Sequence, residues 1–191
     1  MSRYSTPFPW LGVLLIVTSL ICVAQPIATP LHSGDVFPQF TGKTLTGKPL
    51  KLPTVAAVKP AVVIFSFTRR AGKDARLWSE RITKDFPRDV PCYTMIMLES
   101  VPTLLRGMVV SGIKSDMPPA VQDRTIVSYR DEELWKQRLA ATDDSHAYVL
   151  LLGSHGHMHW RNSGTFNDAE YTKLKSGIQE QIKVISQHRV Q

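Results

Sequence analysis

The sequence predicts an α/β fold in which helices layer onto a mixed central sheet, and three features predict it. The runs PAVVIFSF (60–67), YTMIML (93–98) and AYVLLL (147–152) are continuously apolar and rich in β-formers, the pattern of strands buried on both faces. The stretches that follow the first two carry apolar residues at helical spacing. The chain then closes with a turn-punctuated strand pair and a well-signalled helix, an order of elements that covers a sheet on its faces. A length of 191 residues suffices for one domain with a proper core and not comfortably for two.

Each element follows from local signals. Residues 1–24 hold one early charge, Arg3, and then an uncharged apolar run from Trp10 to Ala24. That is the pattern of a secretory signal peptide, with a retained N-terminal membrane anchor helix as the alternative. Residues 25–32 read as a proline-containing linker and 33–191 as the folded domain. GDVFPQFTGKTLTGKPLKL (34–52) offers short extended pieces broken by Gly42 and Gly47, a hairpin-like opening.

After the first long strand, Ala75, Trp78, Ile82 and Phe86 recur at helical spacing until Pro87 stops the helix. Leu104, Leu105, Met108, Val109 and Ile113 mark a second helical stripe, closed by Met117-Pro118-Pro119. Its first reading is core packing against the sheet. The other is docking on a membrane protein, with Arg106 and Lys114 contacting acidic groups.

TIVSY (125–129) is a short strand, and RDEELWKQRLA (130–140) places acids in its first turn and bases in its last, matching the helix dipole. GSHG (153–156) turns the third long strand back into HMHWR (157–161). Asn167 caps the last helix, Glu170 completes a capping box, and Phe166 with Tyr171 forms a staple.

Apolar residues make up 43% of the chain and charged residues 20%, the balance of a globular protein. The net charge of +7 favours acidic partners. The basic residues form no nucleic-acid motif and are not interleaved with aromatics, so no nucleic-acid partner is expected. No glycine-rich phosphate loop or nucleophile elbow occurs, and neither a cofactor nor a small-molecule substrate is predicted. Cys22 lies in the apolar leader, which leaves Cys92 alone in the mature chain with no C-x-x-C and no internal disulfide. Cys92 opens an apolar run and reads as a small packed hydrophobe, with a lone reactive thiol as the alternative.

Three stretches together resemble the redoxin branch of the thioredoxin-like superfamily. GDVFPQFTGKTLTGKPLKL is similar to the redoxin opening, AVVIFSFTRRAGKDA (61–75) to the junction that bears the active cysteines, and YVLLLGSHGHMHWRNSG (148–164) to the final hairpin. LLRGMVVSGIKSDMPPAVQDRTIV (104–127) and HMHWRNSGTFNDAE (157–170) are similar to a narrower group, the mitochondrial ATP synthase assembly factors with a thioredoxin-like domain. The resemblance implies a thioredoxin-like three-layer fold and a role in assembling the membrane sector of that enzyme, not thiol exchange.

Thiol exchange needs a thiolate and, in dithiol enzymes, a second sulfur to resolve the mixed disulfide. Arg70-Ala71-Gly72-Lys73 stands in the C-x-x-C slot; in the peroxiredoxin register Thr68 matches the expected threonine and Ala71 replaces the cysteine. His146-Ala147 stands where the superfamily has its cis-proline. No residue is therefore assigned a catalytic role. Arg69, Arg70, Lys73 and Arg76 crowd the start of a helix that is already electropositive, an arrangement that an anion would relieve. Arg69, Arg70, Lys73 and His146 are accordingly the candidate site for an anion or an acidic side chain, with plain solvation of the cations as the other reading. No metal is expected, although His155, His157 and His159 are weak candidate ligands.

The functional expectation is a non-catalytic binding or assembly-factor-like protein that acts at a membrane on a membrane protein or an acidic protein surface. The alternative is an exported redoxin- or peroxiredoxin-like thiol oxidoreductase. The expected location is exported or membrane-anchored, periplasmic or extracytoplasmic, with the mitochondrial inner membrane as the alternative.

Overall fold

A computed structural model describes residues 28–53 and 59–188. The expected signal or anchor over 1–24 lies outside the described residues. The chain opens with a hairpin, β1 (Phe40–Lys43) and β2 (Pro49–Leu52), paired antiparallel so that Phe40 faces Leu52. There follow β3 (Ala61–Ser66), α1 (Arg69–Asp85), β4 (Cys92–Met97), α2 (Thr103–Ser115), the single turn α3 (Pro119–Gln122) and β5 (Thr125–Ser128). The final elements are α4 (Glu132–Arg138), β6 (Tyr148–Leu152), β7 (Met158–Ser163) and α5 (Asp168–His188).

The central sheet has the order β5-β4-β3-β6-β7. β3, β4 and β5 are parallel, and β6 and β7 return antiparallel. This is the mixed sheet that the sequence predicts, and the three long runs form its middle. Every residue of β3 and of β6 is buried, as strands covered on both faces must be. Alternation sorts β3 between two cores. Val62 and Ile64 face α1 and α5, together with Trp78, Ile82, Leu174 and Ile178. Val63 and Phe65 face the opposite layer, where the Trp135 ring of α4 lies 4.8 Å from Phe65 and 5.3 Å from Phe37. Helices and hairpin thus sandwich the sheet in three layers.

The cap and staple predicted for α5 are present in atomic detail, whereas the Glu170 carboxylate meets Lys173 at 2.7 Å instead of closing the capping box. The Thr68 hydroxyl accepts from Ala71 N and caps α1, and the Asn167 side chain accepts from Glu170 N at the start of α5. The Phe166 and Tyr171 rings sit 6.0 Å apart as the staple. Gly156 needs its positive φ of 78°, and its missing Cβ lets the turn before β7 close against Pro53.

One element departs from its first reading. α2 buries no residue: Leu104 is 97% exposed, Met108 72% and Leu105 46%. The stripe is not core. The physical reason lies downstream, where the Thr125 hydroxyl donates to Val121 O and reaches the Met117 sulfur, so the segment 117–121 covers the start of β5 in its place.

Candidate functional site

The strand-to-helix junction after β3 is the position where this fold carries its chemistry, and it is built here without sulfur. Phe67 packs edge-on against Tyr148 with ring centroids 5.9 Å apart, which fixes the turn against the start of β6. Thr68 then serves two neighbours: it caps α1 and donates its hydroxyl to Asp144 O at 2.6 Å. Arg69, Arg70 and Lys73 leave this turn fully exposed, and α1 has no acid in its first turn.

Two carboxylates organise the junction, and sequence reasoning missed both roles. Asp74 reads in sequence as a partial offset to the surface cations. It points inward instead, only 6% exposed, and accepts from Ala147 N at 2.9 Å and from Phe166 N at 2.8 Å. One side chain therefore ties α1 both to Ala147, just before β6, and to the loop before α5. The helical spacing of 71, 75 and 78 puts position 74 on the buried side, and that is the signal that could have found it.

Asp143 is the second. Hydrogen bonds from the Ser145 backbone and hydroxyl hold its carboxyl below the ordinary range, and His146 and Arg70 act in the same direction. The His146 Nδ1 lies 3.5 Å from Asp143 Oδ2. The structure thus brings His146 to one carboxylate of the domain itself, while Arg69, Arg70 and Lys73 form no ion pair among the described residues.

Cys92 does not substitute for the missing thiols. It is the free cysteine of the described residues, buried at the start of β4, and burial pushes its thiol up to about 12. A thiol held protonated in this way neither attacks a disulfide nor binds a soft metal.

The remaining candidates lie elsewhere. Arg106 is engaged within the domain: its guanidinium donates to Val101 O and Glu99 O and lies 4.9 Å from the Tyr129 ring centroid, fastening the start of α2 to the ends of β4 and β5. Lys114 stands exposed in the last turn of α2. The three histidines do not converge. β7 shifts register against β6 between Leu151 and Leu152, so His159 is displaced from simple alternation with His157. His157 Nδ1 pairs with Gly34 O, and His159 Nδ1 pairs with Gln181 Nε2 on α5. Gly153 has no Cβ because the His159 ring and the Gln181 side chain occupy that space. Among the described residues no group of three potential ligands could hold a metal.

The family whose model is described as ATP10 protein matches residues 23–180, most of the chain. The chain belongs to the ATP10 family. These are the ATP synthase assembly factors that the stretches 104–127 and 157–170 resemble. Among solved structures, the thioredoxin domain of a thiol-disulfide oxidoreductase from Bacteroides vulgatus aligns at TM-score 0.56 and 14% identity, covering 78% of this ATP10-family chain and 99% of that one. The exposed lipoprotein thioredoxin of Streptococcus pneumoniae aligns at TM-score 0.54 and 14% identity, covering 73% and 99%. At such identity the likeness establishes the thioredoxin-like fold. No curated protein matches the chain in sequence. Among the described residues no helix of this ATP10-family domain is long and apolar enough to cross a membrane.

Proposed function

We propose that this chain is a non-catalytic assembly factor that acts at a membrane on a protein of the ATP synthase membrane sector. The observation that carries the reading is α2, a thirteen-residue helix of a packed domain whose Leu104, Leu105 and Met108 all face solvent. Apolar side chains gathered on one outward helix face mark an interaction surface. Gly107, Ser111 and Ser115 share that face, and small residues let a partner helix approach closely. The partner that fits is an apolar helix of an integral membrane protein.

The junction chemistry supports the same reading. With Arg70-Ala71-Gly72-Lys73 in the dithiol slot and Cys92 sealed in the core, recognition is the use left to the fold. No observation favours the thiol oxidoreductase alternative. The cations at Arg69, Arg70 and Lys73 supply a second, electrostatic contact, and the location that suits both is the membrane that houses the ATP synthase.

A photo-crosslinker at position 104 or 108 of the full chain, activated in native membranes, tests the assignment. The expected product is a membrane-sector subunit, identified by mass spectrometry and lost in Leu104→Asp/Met108→Asp. Absence of such a product, or capture that survives the double variant, overturns it.

A further inference from the structure

We propose that the outer face of α1 is a contact for the phosphate head groups of anionic phospholipids. The proposal deepens the reading above and rests on it for the presence of a membrane. Arg69, Arg70, Lys73, Arg76, Arg81 and Lys84 are all exposed along α1, a row of about 22 Å at the rise of a helix. The acids of the same helix offset only one of them, Arg76. Asp74 is turned into the core, Asp85 is taken by Lys175 at 3.0 Å, and Glu80 is held by Arg76 at 2.7 Å. Arg69, Lys73 and Lys84 engage no carboxylate in any ion pair among the described residues. Leu77, 51% exposed, stands in the middle of this row with Lys73 and Arg81 a turn to either side.

Three features select a bilayer surface over an acidic protein segment. First, the face is the convex side of a helix, whereas two grooves among the described residues lie elsewhere, one of about 480 Å³ between β7 and α5 and one along the end of α4. A planar array of phosphates matches a convex cationic row, and a peptide needs a groove. Second, α2 lies on the same side of the sheet, because the crossovers β3 to β4 and β4 to β5 join parallel strands and step the same way across the sheet, and such crossovers share one hand. Cations on α1 beside exposed Leu104 and Met108 on α2 are the composition of an interfacial surface.

Third, the chain reaches the domain at the matching end. Ala28 N donates to Gln137 in the last turn of α4, and Leu31 N donates to Arg138 O. α4 leads into β6, whose Tyr148 pairs with Phe65 near the end of β3, and Asp144 O there takes the Thr68 hydroxyl. The described chain thus enters, at Ala28, toward the end of the sheet where α1 begins. Of the acids at that end, Asp144 is held by Lys136 and Asp143 lies 3.5 Å from His146, and neither forms an ion pair with a cation of α1.

The test is flotation of the full chain with vesicles of phosphatidylcholine alone or of phosphatidylcholine with phosphatidylglycerol, at low and high salt. Wild type should prefer the anionic vesicles by at least about tenfold at low salt, and the preference should shrink as salt rises. Arg69→Glu/Lys73→Glu/Lys84→Glu should abolish the preference, whereas the charge-reversing control Lys43→Glu/Lys51→Glu in the β1-β2 hairpin should keep it. Equal binding to both vesicles, or a preference that the triple variant retains, overturns the lipid assignment. Binding of an acidic peptide that the triple variant loses, without any vesicle preference, also overturns it and assigns the face to protein. Either failure leaves the crosslinking result at α2 intact, so the two readings fall separately.

Discussion

α1 and α2 look alike in sequence and differ completely in use. Both follow a long parallel strand, and both space their apolar residues as helices do. α1 closes the crossover between the adjacent strands β3 and β4 and sinks Ala71, Ala75, Trp78 and Ile82 against the sheet. α2 follows β4 toward a short strand whose cover comes from residues 117–121, and it retains no buried residue. The difference teaches that an apolar stripe reports a surface that wants a partner, not which partner it has. For α1 the partner is the domain's own sheet; among the described residues α2 buries no residue against any.

The comparison breaks most sharply at Trp78 and Leu104. Trp78→Ala removes a fully buried indole whose neighbours include Phe166 at 5.0 Å and Tyr171 at 6.3 Å, and it should cost about 3–5 kcal/mol in chemical denaturation. Asp74→Ala comes next. It strands the backbone N–H groups of Ala147 and Phe166 in the interior, a loss of about 1.5–3 kcal/mol. Substantially native stability in either variant would show that α1 is not docked as described.

Alkaline titration sharpens the same contrast. Unfolded Cys92 ionises near its ordinary value of 9, whereas in the fold it keeps its proton to about 12. Unfolding therefore releases a proton in that window, so stability is full below pH 9 and falls as pH rises toward 12, by at most about 1.4 kcal/mol per pH unit. Tyr171, also pushed up to about 12 by burial and by Asp85, acts in the same sense from its ordinary value of 10. Cys92→Ala should flatten the lower part of the fall and leave the part that Tyr171 contributes. An unchanged profile would contradict the sealed thiol. Leu104→Ala and Met108→Ala should have the smallest effect, within about 0.5 kcal/mol of wild type, because nothing in the fold packs on them. A melt lowered by several degrees in either would return α2 to the core.

Most of the architecture was legible in the sequence because its signals are local. Continuous apolar runs mark β3, β4 and β6, Pro87 ends α1, and Asn167 with Glu170 announces α5. The absence of sulfur at 70–73 was equally legible, since it is a statement about residue identity. What escaped depends on tertiary placement. Asp74 is one acid among the charges of a basic helix until the fold turns it toward two backbone amides. Arg106 reads as a free cation until Val101, Glu99 and Tyr129 are brought to it. The bulge that separates His157 from His159 arises from the pairing of β6 with β7, and no single-strand pattern contains it.

Cys92 has one last consequence. The expected routes for this chain differ in redox poise: the cell exterior oxidises thiols, and reducing compartments protect them. A domain whose described residues hold one thiol, walled in at the foot of a central strand, offers neither a disulfide nor glutathione a thiol to act on while folded. The folded domain's architecture therefore does not depend on the thiol redox state of its surroundings.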